Sequence, residues 1–376
     1  MSGSCFHLKN LNKVFRYALC PVRYALFFVK ETSMKKFVIA SVGKNAGKTS
    51  LIVGMARAAK KPFGYLKPFG DRLVYREKKL WDYDADLVTG IFGMRKDPED
   101  LTIGFEHAKL RYMYDGEGRK KRLREMVSQA QGELLFVEGG EGLRYGVSLG
   151  LDPVSVAKDI DARLVLLISG NEDVLMDDAI FAKDYLGSRG VTFKGVILNK
   201  VHNPEEFKEY HVKRIEEQGI PVLGIIPFER DLTFLTVNYL ARRLLAKVIT
   251  GENAMNRVVK NILVGAMTLN ALFQTSLFQK EDKLVITSGD REDMILAAIE
   301  SNTAAVVLTN NIIPSSNIIS KAYERSTPLL LVPQDTYHTI TQINAIEPLL
   351  TRDDHQKIEV IDRVVQKNVD LGFFIG

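Results

Sequence analysis

The stretch Ala40-Ser41-Val42-Gly43-Lys44-Asn45-Ala46-Gly47-Lys48-Thr49-Ser50 brings together the groups that a phosphate needs. Glycine carries no Cβ, so successive backbone N–H groups can turn inward around an anion. A helix that starts directly after the loop adds the partial positive charge of its N-terminus. On this reading Lys48 neutralises the β- and γ-phosphates of a nucleotide and the Thr49 hydroxyl holds Mg²⁺. Gly43, Lys44, Asn45, Ala46, Gly47 and Ser50 complete the cradle. The usual pattern puts a glycine six residues before the lysine; here that position is Val42 and the glycine is Gly43, so the loop is one residue short. The alternative is an ordinary strand-to-helix turn that contains Gly-Lys-Thr. The strand before it and the helix after it favour nucleotide binding.

Acids at the ends of neighbouring strands are the natural partners of such a loop. Glu138 closes the apolar run Leu134–Val137 and is followed by Gly139-Gly140-Glu141-Gly142. A carboxylate at the carboxyl end of a strand in the same sheet is placed to hold a metal ion or its waters. Asp82, Asp84 and Asp86 form a denser cluster, with Asp84 the candidate metal ligand. The competing reading for all of them is a solvated acid at an element's end.

The positioning elements follow from the apolar pattern. Lys36–Val42 is a β-branched run feeding the loop, and Thr49–Lys60 has Leu51, Ile52, Met55 and Ala59 on one helical face. Leu134–Val137, Leu164–Ile168, Val196–Leu198 and Leu223–Ile226 are short continuous apolar runs, the mark of strands covered on both faces. Helical stretches separate them, which predicts a parallel sheet with right-handed crossovers. After a helical stretch near Val237–Asn261, a second series reads Ile262–Ala266, Leu284–Thr287, Ala305–Leu308 and Leu329–Val332 as strands. Its helices are expected near Glu292–Glu300, Ser316–Glu324 and Thr336–Leu350. We therefore expect an α/β protein: a P-loop NTPase parallel sheet with helices on both faces over residues 34–235, a helical connection over 236–254, and a smaller α/β domain over 255–376.

Net charge is +5, and most of it sits in residues 1–33, where Lys9, Lys13, Arg16, Arg23 and Lys30 face Glu31 alone. The body is nearly neutral and shows no basic face, so nucleic acid is not an expected partner. Cys5 and Cys20 both precede the loop; no cysteine follows it to serve as nucleophile, zinc ligand or disulfide partner. That fits a cytoplasmic protein. No apolar run approaches the ~20 residues of a membrane-spanning helix. The basic, acid-poor leader suits a targeting peptide or an interfacial helix. Met34, followed by Lys35-Lys36 and a strand, reads better as the true first residue, leaving 1–33 untranslated or disordered.

With these residues in hand, the chain resembles the dethiobiotin synthetase-like P-loop proteins, in the branch found as the N-terminal region of long phosphotransacetylases. The matches run in order: Gly43–Ser50, Lys67-Pro68, the acid Asp84, Val137-Glu138-Gly139-Gly140, Gly195-Val196-Ile197-Leu198-Asn199-Lys200-Val201, and Pro221-Val222-Leu223-Gly224-Ile225-Ile226-Pro227. The resemblance implies ATP and Mg²⁺ as cofactors, with Thr49, Asp84 and Glu138 on the metal. It implies Asn199 at the adenine ring. It implies Lys48 and Lys67 as catalytic lysines, Lys67 facing a substrate carboxyl or carbamate. Glu141 stands where dethiobiotin synthetase has a small neutral residue, which argues against a diaminopelargonate pocket.

Residues 262–350 resemble the DRTGG domain through Val264–Asn270, Ile286–Asp293, Leu308–Asn311 and Val332–Tyr337. Four loops, around Asn270, Asp290, Asn310 and Asp335, are expected to meet on one rim, where open α/β sheets bind ligands. Asp290 and Thr336 are also candidates to cap the helices that follow them. The expected function is an ATP–Mg²⁺-binding regulatory protein whose second domain senses a small polar ligand and dimerises. The alternative is an ATP-dependent ligase that activates a carboxyl group, or an ATPase. A long phosphotransacetylase continues into an acyltransferase domain beyond the region matched, so acetyl transfer by this chain itself is not expected.

Overall fold

The computed structural model describes residues 34–76, 78–191 and 193–376. The leader and both cysteines lie outside the described residues. The apolar run before the loop forms strand β1 (Lys35–Ser41), with Phe37, Val38, Ile39 and Ala40 fully buried. Helix α1 (Lys48–Ala59) follows the loop. The first sheet holds β1, β2 (Phe63–Leu66), β5 (Leu134–Glu138), β6 (Arg163–Ser169), β7 (Val196–Val201) and β8 (Val222–Pro227). Its order is β2-β5-β1-β6-β7-β8, all parallel. The chain leaves β1 towards one edge and, after β5, runs towards the other. Right-handed crossovers in opposite directions put their helices on opposite faces. The reversal beside β1 opens the crevice in which doubly wound sheets hold ligands. Register pairs Ile39 with Glu138, bringing the acid level with the end of β1.

An insertion between β2 and β5 carries an antiparallel hairpin, β3 (Leu73–Arg76) and β4 (Lys79–Asp82), then helix α2 (Tyr83–Phe92). The hairpin is absent from the apolar pattern because its strands are short and leave Leu73, Tyr75 and Leu80 exposed, with Trp81 and Asp82 buried at the end of β4.

Small strands β9 (Leu235–Thr236) and β11 (Val258–Val259) pair with each other ahead of the second sheet. That sheet contains β10 (Lys247–Thr250), β12 (Asn261–Val264), β13 (Lys283–Ser288), β14 (Thr303–Thr309) and β15 (Leu329–Leu331) in the order β10-β15-β14-β13-β12. Strands β12 to β15 are parallel, and β10 is antiparallel on β15. Both faces are covered: Val285 joins one apolar cluster, while Leu284 and Ile286 join the other. The stretch near Val237–Asn261 is therefore not one helix. It is helix Val237–Arg243 followed by β10, whose β-branched Val248, Ile249 and Thr250 prefer a strand once β15 supplies a ladder.

The final helices, His355–Asn368 and Leu371–Ile375, return to the first sheet. Ile358, Ile361, Val364, Val365 and Phe374 are buried in its core. Val369 bridges Gly224, and Asp370 N–H donates to Leu223 O at 2.8 Å, which covers the edge strand β8. Among the described residues no helix is long and apolar enough to cross a membrane.

Candidate functional site

The loop between β1 and α1 is shaped at Gly47, which takes φ +96° as the residue before the helix. A Cβ there would lie 2.8 Å from Asn199 Nδ2. No side chain caps α1 and its first turn holds no acid, so the helix N-terminus keeps its donors for an anion. Lys48 is buried and donates to Ser41 Oγ at 2.9 Å. Burial lowers its pKa, opposed by the nearby Glu138 carboxylate. Asn199, within β7, donates to Ala46 O at 2.8 Å, and Lys200 Nζ donates to Asn45 O at 2.8 Å. Lys44 forms a rim ion pair with Glu141 at 2.7 Å.

Glu138 is buried and accepts from Thr49 Oγ1 at 2.8 Å and from Tyr65 OH at 2.8 Å. Burial, then the Asp84 charge, pushes its pKa up to about 7. Lys67 is 1% exposed and sits among acids: Asp84, Asp71 Oδ1 at 2.6 Å, Asp82 Oδ1 at 3.4 Å and Glu138 Oε1 at 4.0 Å. Burial works to lower its pKa, but these carboxylates win and hold it well above the usual lysine value. Burial likewise works to raise Asp84, yet Lys67, Arg72 and the Thr49 hydroxyl hold it below the usual carboxylate range. Asp82 caps α2, accepting from Asp84 N–H at 2.9 Å and Ala85 N–H at 3.2 Å, and burial pushes its pKa up to about 6.

Lys48, Thr49, Asp84, Glu138 and Asn199 all line one cavity of about 370 Å³, within the usual size range of ligand sites. Gly43 and Ser50 stand at the two ends of the loop, and Ser50 also lines the cavity. The Thr49 hydroxyl with the Asp84 and Glu138 carboxylates offers hard oxygen donors that suit a divalent cation. Lys67 lies behind this wall with its ammonium on Asp71 and Asp84. Asp86 instead faces Arg352. The sequence did not single out Tyr65, Asp71, Arg72 or Glu347. Asp71 lies beyond Lys67-Pro68-Phe69-Gly70 rather than at the end of β2, so the strand-end rule that flagged Glu138 did not reach it. Glu347 carried no such signal.

Asn270, Asp290, Asn310 and Asp335 are exposed and follow β12, β13, β14 and β15, the four parallel strands of the second sheet. Neither expected cap forms as read. Helix Glu292–Glu300 has no side-chain cap; Arg291 stands at its start and pairs with Asp293 at 3.2 Å. Asp335, one residue before Thr336, caps helix Thr336–Asn344 by accepting from His338 N–H at 2.8 Å. The threonine hydroxyl instead meets Thr309 Oγ1 at 3.1 Å.

Residues 35–236 match the family model described as AAA domain, more than half of the chain. The chain belongs to the AAA domain family. Its AAA domain is followed by a match to the DRTGG domain over residues 239–346, which takes in most of the stretch 236–254 read as a connection. A phosphate acetyltransferase of Pseudomonas putida is 26% identical over 369 residues, covering 90% of this chain and 51% of that protein. The chain thus spans about half the length of that curated relative. The MinC:MinD cell division protein complex of Aquifex aeolicus aligns at 18% identity and TM-score 0.36, over 53% of this chain and 83% of that one. The CBS and DRTGG domains of Clostridium perfringens pyrophosphatase, complexed with the activator diadenosine tetraphosphate, align at 17% identity and TM-score 0.26, over 46% and 76%.

Proposed function

We propose that this protein binds ATP with Mg²⁺ in the cleft of its AAA domain and acts as a regulatory nucleotide switch, with the DRTGG domain sensing a small polar ligand. The observation that carries it is the convergence of Lys48, Thr49 and Glu138 on one cavity at the N-terminus of α1. Lys48 would meet the β- and γ-phosphates; Thr49, Asp84 and Glu138 would hold the metal, which supplies charge neutralisation of the phosphates. Asn199 lies beside the loop, where an amide can read a base edge. The ligase reading needs Lys67 at a substrate carboxylate, but its ammonium is committed to Asp71 and Asp84, so the regulatory reading is favoured.

Calorimetry with ATP, with and without Mg²⁺, tests the reading. Lys48→Ala removes a charge-assisted phosphate contact worth about 1.5–3 kcal/mol and should weaken binding about tenfold or more. Equal affinity for both proteins would overturn it. For the sensing part, Asp290→Ala should alter the response to an effector while leaving ATP affinity unchanged. Loss of ATP binding in that variant would contradict two separate sites.

A further inference from the structure

Glu347, the residue directly after the DRTGG match, reaches the cleft. It lies between helix Thr336–Asn344, which ends the DRTGG match, and the returning helix His355–Asn368. Two donors from the AAA domain grip its carboxylate. Asn45 Nδ2 donates to Oε1 at 2.5 Å, and Arg72 Nη2 donates to Oε2 at 3.3 Å. Arg72 also donates to Asn45 Oδ1, which ties the two donors into one unit. Asn45, Arg72 and Glu347 line the same cavity as Lys48 and Thr49.

We propose that Arg72 and Asn45 form an oxyanion subsite of the nucleotide cleft, in which the Glu347 carboxylate stands in for the terminal oxyanion of a bound ligand and yields to it. The inference rests on the reading of the cleft as a nucleotide site. Arg72 meets Glu347 through Nη2 alone while Nη1 faces Asp84 Oδ1 at 3.7 Å, and a guanidinium nitrogen donates to a phosphate oxygen as it does to a carboxylate, so Arg72 loses no partner in the exchange. Two anions cannot share the position, because like charges at contact distance repel. The exchange needs little motion. Tyr239 OH donates to Glu347 O at 3.0 Å and Tyr83 OH donates to Leu350 O at 2.9 Å, so the backbone is pinned on both sides of Pro348. The Glu347 side chain is 49% exposed and can swing into solvent with those pins in place.

The oxyanion is either the γ-phosphate of ATP or a separate phosphate beside a nucleoside diphosphate. Calorimetry on the full chain with Mg²⁺ distinguishes them, using ATP, ADP, and inorganic phosphate added to the ADP complex. Glu347→Gln keeps the shape and removes the competing charge. A partly exposed ion pair predicts a gain of about two- to fivefold, shrinking in high salt. The gain appears for ATP and not ADP if the γ-phosphate is the occupant. It appears for added phosphate if the occupant is separate. Arg72→Gln should weaken the same ligand and cancel the gain in the double variant. Glu347→Ala should reproduce the gain if the charge, and not the glutamine amide, is responsible. Nucleotide binding that Lys48→Ala weakens and Glu347→Gln leaves unchanged for all three ligands overturns the subsite alone. No nucleotide binding by wild type or by either Glu347 variant overturns the nucleotide reading with it.

Discussion

The Thr49 hydroxyl and the Glu138 carboxylate are 89 residues apart in sequence and 2.8 Å apart in space. The pairing of Ile39 with Glu138 brings them together: β1 delivers the loop and β5 delivers the acid, side by side. If this pair holds the metal, its loss should remove the metal's contribution and little else. Thr49→Ala and Glu138→Gln should each cut the Mg²⁺-dependent gain in ATP affinity by roughly tenfold, the scale of a hydrogen bond to a charged group. Affinity measured in chelator should change less than twofold. An undiminished Mg²⁺ gain in both variants would show that the metal sits elsewhere.

Lys67 is the counter-charge for buried Asp84 and Asp71, with Asp82 and Glu138 close by. Removing one partner of a buried ion pair leaves uncompensated charge and costs about 3–5 kcal/mol. Lys67→Met should therefore unfold at markedly lower urea. Divalent cations should stabilise the variant more than wild type, because the carboxylates that the ammonium neutralised become free to bind them. A loss under about 1 kcal/mol, with no added cation effect, would mean that the acids discharge themselves by taking up protons.

Much of this site was legible in the sequence because buried parallel strands read as unbroken apolar runs. Ala40–Ser50 and Leu134–Glu138 declared both their strands and the residues at the strand ends. What stayed hidden depends on segments meeting across the chain. Strand β10 needs β15 beside it, and its first residue is an exposed lysine. The hairpin β3–β4 lacks a buried run, and Arg72 at its base gains meaning only when Asn45 and Glu347 arrive. The helix His355–Asn368 shows a clear apolar face, but the face does not say which sheet it will join.

Its contact with α1 is tight at Gly54. A Cβ on Gly54 would come within 2.5 Å of Val365 Cγ2 and 3.0 Å of Ile361 Cγ2. Alanine in a helix interior normally gains about 0.5–1 kcal/mol over glycine. Overpacking a core costs about 1–3 kcal/mol, so the clash should win and Gly54→Ala should destabilise. Adding Val365→Ala removes the 2.5 Å contact but leaves Val365 Cβ at 2.9 Å, so it should recover part of the loss, a coupling that a double-mutant cycle reads directly. Additive effects would show that the returning helix is not packed on Gly54.

Gly47 faces two separate restrictions, and they can be pulled apart. Its φ of +96° is unfavourable for any residue with a Cβ, at a cost of about 1–3 kcal/mol. The same Cβ would also meet Asn199 Nδ2 at 2.8 Å. Gly47→Ala should therefore distort the loop and weaken ATP binding by more than tenfold. Asn199→Ala opens the space beside the loop but also removes the bond to Ala46 O and the amide proposed to read the base edge, so its own effect on affinity is measured first with Gly47 intact. In the Gly47→Ala background it should recover only the steric part, leaving the backbone penalty in place. Full recovery of affinity in the double variant would assign the whole defect to the Asn199 contact. No recovery would assign it to φ. Unchanged affinity in Gly47→Ala itself would mean that the left-handed turn is not what shapes the phosphate cradle.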